Sequence, residues 1–154
     1  LLPGNPSGDA VKNRNKKHYF YHFIILKTMD SLSPNLFVKN MNETIDFYRL
    51  IGFQTIMSVP PTGDNFDWAM MANGEVIFMF QTFSSLGDEL PAISRQNGGS
   101  LLFYIKLKNI RNFFEQVKDK VTVLKGLEKT FYGATEFSIL DNNNYVLTFA
   151  EDEE

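Results

Sequence analysis

The chain has 154 residues, 44% of them hydrophobic, and a formal net charge of −3 at pH 7. That is one domain with enough apolar sequence for a core, and its mild acidity argues against a nucleic-acid partner, which calls for a basic patch. There is no cysteine, which excludes disulfides, thiolate catalysis and cysteine-held zinc, and no apolar run is long enough to span a bilayer.

Residues 1–28 differ in character from the rest of the chain. A turn-rich opening, Leu1 to Gly8, precedes the basic residues Lys12, Arg14, Lys16 and Lys17, then a short apolar stretch from His18 to Leu26. A basic run before an apolar run is the order of a signal peptide, but His22 interrupts it and no small-residue cleavage site comes after it. We read 1–28 as a leader or a non-native segment, with the native start expected at Met29. Phe20 to Leu26 is a candidate extra edge strand. His18 and His22 stand four apart, a metal-chelating spacing on a helix, but lack a carboxylate partner.

From residue 31 the pattern is regular. Asn35 to Val38 reads as a short strand. Asn40 is an N-cap with Glu43 at the reciprocal capping-box position. Met41, Ile45 and Tyr48 follow at helical spacing, and Gly52 stands where a helix ends in the left-handed region. Phe53 to Val59 reads as a strand and residues 60–63 as a loop. Phe66 to Ala72 and Glu75 to Gln81 form a hairpin around Asn73-Gly74, a dipeptide that suits a type I′ turn with positive φ at both positions. Residues 82–99 are a polar loop ending in Gly98-Gly99.

The order then repeats. Val38-Lys39-Asn40-Met41 is echoed by Leu107-Lys108-Asn109-Ile110. A helix from Ile110 to about Lys118 carries Phe113, Phe114 and Val117. Val121 to Leu124 is a strand, and Thr135 to Leu140 with Tyr145 to Ala150 form a second hairpin. Strand, helix and three strands occurring twice is an internal duplication. It predicts an α+β domain over 29–154 built from two tandem βαβββ modules, about 31–82 and 99–151. Their curved mixed sheet would surround a cleft.

Three sets of residues carry a family resemblance: Leu36 to Asn40, then Phe47-Tyr48 and Gly52-Phe53; Tyr132-Gly133 with Glu136-Phe137; and Asp141 to Tyr145. In this order they resemble the vicinal oxygen chelate superfamily, which includes glyoxalases, bleomycin-resistance proteins and dioxygenases. The last motif departs from the family pattern, with Asn142 for Pro and Asn144 for Gly, a change that Asn tolerates by adopting αL. The resemblance implies a homodimer. It also implies four metal positions, which fall on Ser33, Phe78, Leu102 and Thr148. Phe and Leu offer no lone pair, and hydroxyls are poor ligands for a divalent ion beside His and carboxylate. The family's metal-dependent chemistries are therefore not expected, and no cofactor is implied.

Alternation along the strands predicts a cleft lined by Asn35, Phe37, Asp67, Phe78, Phe80, Leu102, Tyr104, Phe137 and Thr148. That lining suits a small apolar or aromatic molecule, oriented by a few hydrogen bonds. The same apolar alternation is also what a plain packed core requires. Asp67 and Tyr104 are the candidate base and acid if there is catalysis. Glu136 is expected to point outward into solvent, and Glu151 to Glu154 to be a solvated tail. The favoured reading is a cytoplasmic, metal-independent small-molecule binder, with no nucleic-acid or membrane partner. Its alternatives are a glyoxalase- or dioxygenase-like lyase or isomerase with a noncanonical site, and an interaction module whose cleft is filled.

Overall fold

The computed structural model describes residues 31–153. The N-terminal readings, namely the leader, the Phe20 to Leu26 strand and the His18/His22 pair, lie outside the described residues, as does Glu154. The described chain runs β1 (Asn35–Val38), α1 (Met41–Leu50), β2 (Gln54–Val59), β3 (Trp68–Asn73), β4 (Val76–Thr82) and α2 (Phe83–Leu86), then β5 (Leu102–Lys106), α3 (Ile110–Val117), β6 (Thr122–Lys129), β7 (Ala134–Leu140) and β8 (Val146–Asp152). The strands form two four-stranded sheets of identical topology, ordered β1-β4-β3-β2 and β5-β8-β7-β6. In each, the first strand of the module lies parallel to the last, and the other pairings are antiparallel. The duplication in the sequence is thus a duplication of architecture. The fold is α+β, two mixed sheets from two tandem βαβββ modules.

Local chemistry explains the first module's boundaries. The Asn40 side chain accepts the Glu43 backbone N–H at 3.2 Å and donates to the Glu43 carboxylate at 2.8 Å, so the capping box closes through the two side chains. At the far end Gly52 has φ +96°, which a side chain would strain. The hairpin after it differs from expectation. Asn73 pairs with Val76, so Gly74 and Glu75 are the loop, and of these only Gly74 has positive φ. A glycine at the first loop position is the type II′ arrangement rather than type I′.

Tertiary contacts override local signals in the second module. Asn109 precedes α3 in the left-handed region and makes no side-chain cap. Instead, the Glu151 carboxylate accepts the backbone N–H groups of Asn109 at 2.7 Å and Ile110 at 3.0 Å. A carboxylate there satisfies two orphan donors and meets the positive end of the helix dipole. The expected solvated tail is therefore corrected. Residues 151 and 152 continue β8, Asp152 accepts from Lys106 Nζ at 2.7 Å, and Glu153 accepts from Lys129 at 2.9 Å. β6 runs to Lys129, past the expected end at Leu124, because two bulges absorb the polar stretch around Gly126.

One hydrophobic core serves both modules. Leu36, Val38, Ala69, Met71, Phe78 and Phe80 pack beneath Met41, Ile45 and Tyr48 of α1, in the same cluster as Phe137, Ile139, Leu147 and Phe149 of the second sheet. Burying each large side chain of this kind contributes about 1.5–3 kcal/mol. The modules join through polar groups as well. Tyr48 Oη donates to Asp141 Oδ2 at 3.0 Å, Asn143 Nδ2 donates to Thr44 Oγ1 at 2.9 Å, and Tyr145 Oη donates to the Phe37 carbonyl at 3.3 Å. Asp141 also accepts the backbone N–H groups of Asn143 and Tyr145, each at 2.8 Å, which closes the turn in which Asn144 adopts φ +65°. The Phe-Tyr and Asp-to-Tyr motifs are thus the two halves of one inter-module joint.

Candidate functional site

Each sheet has a face packed on the helices and an opposite, open face, and strand register assigns residues to them. In the first sheet Asn35 stands beside Met79 and Phe37 beside Gln81 on parallel strands, while Trp68 lies opposite Gln81 and Met70 opposite Met79. The open face therefore carries Asn35, Phe37, Trp68, Met70, Met79 and Gln81. Asn35 Nδ2 donates to Gln81 Oε1 at 3.1 Å, and Asn35 Oδ1 is buried with no partner among the described residues. Phe37 stacks with Phe83 at 6.2 Å.

Phe78 and Phe80 were expected on this face and are not there. They are 2% and 0% exposed, packed against the Tyr48 ring at 5.5 and 4.5 Å. Parallel pairing puts Asn35 level with Met79, one residue from the expected Phe78, and a one-residue slip moves a side chain to the other face. Phe137 is corrected for the same reason. It is fully buried against Phe113, Phe114 and Phe149, because Thr148 pairs with Ser138.

Leu102, Tyr104 and Thr148 do share the open face of the second sheet, Tyr104 standing beside Thr148 on parallel strands. Ser138 and Thr148 exchange a hydroxyl hydrogen bond at 2.9 Å. Next to them is a residue read as solvated. Glu136 is only 7% exposed, and its Oε1 accepts from both Tyr104 Oη and Tyr132 Oη, the latter at 2.6 Å. The hydrogen bond to Glu136, and then desolvation, hold the Tyr104 and Tyr132 phenols above the ordinary tyrosine range. Glu136 was missed because Phe137 was assigned to this face. The turn length, which fixes hairpin register, was the signal that could have found it.

Asp67 is exposed just before β3, where it lines a surface groove with Lys39, Asn40 and Ser84. Its backbone N–H donates to Val59 and its carbonyl accepts from Thr82. Tyr104 is engaged by Glu136 in the other module, so no contact pairs it with Asp67 as acid and base.

Among the described residues no group of three or more His, Asp or Glu could hold a metal ion. The positions that the family resemblance implies for a metal do not fit one. Ser33, Leu102 and Thr148 are poor or incapable ligands, and register puts the thioether of Met79, rather than Phe78, beside Asn35. No described helix is long and apolar enough to cross a membrane.

No protein-family model matches the sequence, and no curated protein matches it. Solved structures do. A glyoxalase/bleomycin resistance protein/dioxygenase from Nocardioides superposes with a TM-score of 0.67 at 12% identity, covering 84% of this chain and 88% of that one. A bleomycin resistance determinant encoded on the transposon Tn5 gives 0.56 at 20% identity, covering 82% and 100%. A bleomycin-binding protein complexed with bleomycin gives 0.53 at 20% identity, covering 81% and 100%. At such identities the likeness is one of architecture. The chain has the vicinal oxygen chelate fold, the architecture of the glyoxalase/bleomycin resistance/dioxygenase proteins.

Proposed function

We propose that the protein is a metal-independent small-molecule binder whose ligand lies on the open sheet faces. The observation that carries this reading is the Tyr104–Glu136–Tyr132 cluster beside Leu102. It sets two phenol rings and one shielded carboxylate on a strand face that also carries Leu102 and the Ser138 and Thr148 hydroxyls. Such a surface takes an aromatic molecule, and Glu136 supplies the countercharge for a cationic one. The residues at the family's metal positions support metal independence. The bleomycin-bound neighbour supports sequestration on this fold as a precedent.

A second copy of the chain completes the site in this proposal. The described side-chain hydrogen bonds and aromatic contacts between modules run through the packed side. Meanwhile Leu102, Tyr104 and Leu124 stay 51%, 46% and 52% exposed. Apolar side chains concentrated on one face suit a partner surface.

Trp68, the chain's one tryptophan, stands on the open face of the first sheet and reports on binding there. Bleomycin titration is expected to change its fluorescence saturably, without added metal, and Glu136→Gln is expected to weaken binding about tenfold by removing the countercharge. Protein that is monomeric by sedimentation and silent to bleomycin and to other aromatic cations would refute the proposal. A stoichiometric metal would refute its metal-independent part.

A further inference from the structure

The two modules meet at two equivalent seams, and the seams are filled differently. At the first, the turn after β7 lays Asp141, Asn143 and Tyr145 onto α1 and β1, with hydrogen bonds to Tyr48, Thr44 and the Phe37 carbonyl. At the second, the turn after β3 approaches β5 and α3. Counting from the Asn that precedes each helix, Phe113 takes the place of Thr44 and Val117 that of Tyr48. The polar anchors are gone. The turn is also shorter, since Asn73 pairs directly with Val76, whereas the other hairpin closes only at Leu140 and Val146.

The short turn leaves a cavity of about 200 Å³ at this seam. Phe53, Val76, Ile105, Phe113 and Phe149 form its apolar wall. Asn73, Lys106 and Lys108 also line it, and the two lysines are shared with a surface groove lined by Glu151, Asp152 and Glu153. Lys106 is held by Asp152 at 2.7 Å, whereas no ion pair among the described residues involves Lys108. An apolar cavity of about 150 Å³ accepts a benzene ring in a protein interior, so this one has room for a single ring with a small substituent. Lys108 is the lining cation with no ion pair among the described residues, so a negative substituent suits it better than a positive one.

We propose that the second seam is a binding site for a small aromatic carboxylate of benzoate size, with its ring against Phe53, Phe113 and Phe149 and its carboxylate toward Lys108. The site is separate from the open sheet faces and does not depend on what binds there.

Methyl-labelled NMR of the full chain, titrated with sodium benzoate, tests it. The expected result is a saturable shift of the Val76, Ile105 and Leu107 methyls that weakens with added salt, with no such shift from benzylammonium. Lys108→Met is expected to weaken benzoate binding about fivefold, the reach of an exposed ion pair. Val76→Trp, which fills the cavity, is expected to abolish it, and Val76→Phe serves if the larger residue prevents folding. The proposal is overturned if those methyls do not move, if benzylammonium moves them equally, or if benzoate shifts the Leu102 and Val146 methyls of the open face instead.

Discussion

Replacing Tyr48 with Phe tests the inter-module joint. The ring is fully buried and packed on Phe53, Phe78 and Phe80, contacts that Phe preserves. Only the 3.0 Å donation to Asp141 is lost. A hydrogen bond to a charged acceptor contributes about 1.5–3 kcal/mol, which in a domain of this size lowers the melting temperature by roughly 5–12 °C. The loss also depends on pH. Burial raises the Asp141 carboxyl above its ordinary value, while its hydrogen bonds, including that from Tyr48, pull it down. A carboxyl raised in the folded state favours folding most below its unfolded value, and that contribution is lost as pH rises through the folded one. Tyr48→Phe raises Asp141 further, so its penalty shrinks at a pH acid enough to protonate the carboxyl in both folded and unfolded states and is larger near about pH 7. Urea unfolding at the two pH values, with Asp141→Asn closing a double-mutant cycle, measures this. A penalty below about 0.5 kcal/mol near pH 7, or one equal at both pH values, refutes the reasoning.

Other outcomes rest on single contacts. Glu151→Ala removes the acceptor for the Asn109 and Ile110 N–H groups and is expected to cost about 1 kcal/mol, seen by denaturation and by faster amide exchange in the first turn of α3. Gly98 has φ +76°, and a Cβ there would meet the Asn144 carbonyl at 2.5 Å. Gly98→Ala is therefore expected to destabilise by about 1–3 kcal/mol, and a neutral result in thermal unfolding would contradict that close approach. The Tyr104 and Tyr132 phenols, held up by Glu136, favour folding below the ordinary tyrosine value, and that contribution is lost as pH rises through their folded values. Glu136→Gln is expected to bring both titrations down toward the ordinary range, read from the phenolate ultraviolet band.

Much of the architecture was legible in local sequence. The paired Lys-Asn helix starts exposed the duplication, Gly52 marked the end of α1, and alternation found the strands. The caps show where this stopped. Asn40 caps its own helix through a contact three residues away, whereas α3 is capped by Glu151, distant in sequence, and no local signal announces such an acceptor. The candidate site was less legible. Alternation divides a strand into two sets but does not say which set is packed, and here both carry Phe or Met. Phe78 was grouped with Asn35, although parallel pairing sets Asn35 beside Met79. The same error hid Glu136 behind Phe137.

The sequence by itself therefore determined the order of elements and the duplicated topology, because these rest on short-range periodicity and residue type. Only the tertiary structure decided which side chains face outward, how Glu136 gathers two tyrosines, and which seam is left hollow. Those depend on register between strands distant in the chain, where a shift of one residue exchanges the buried face for the open one.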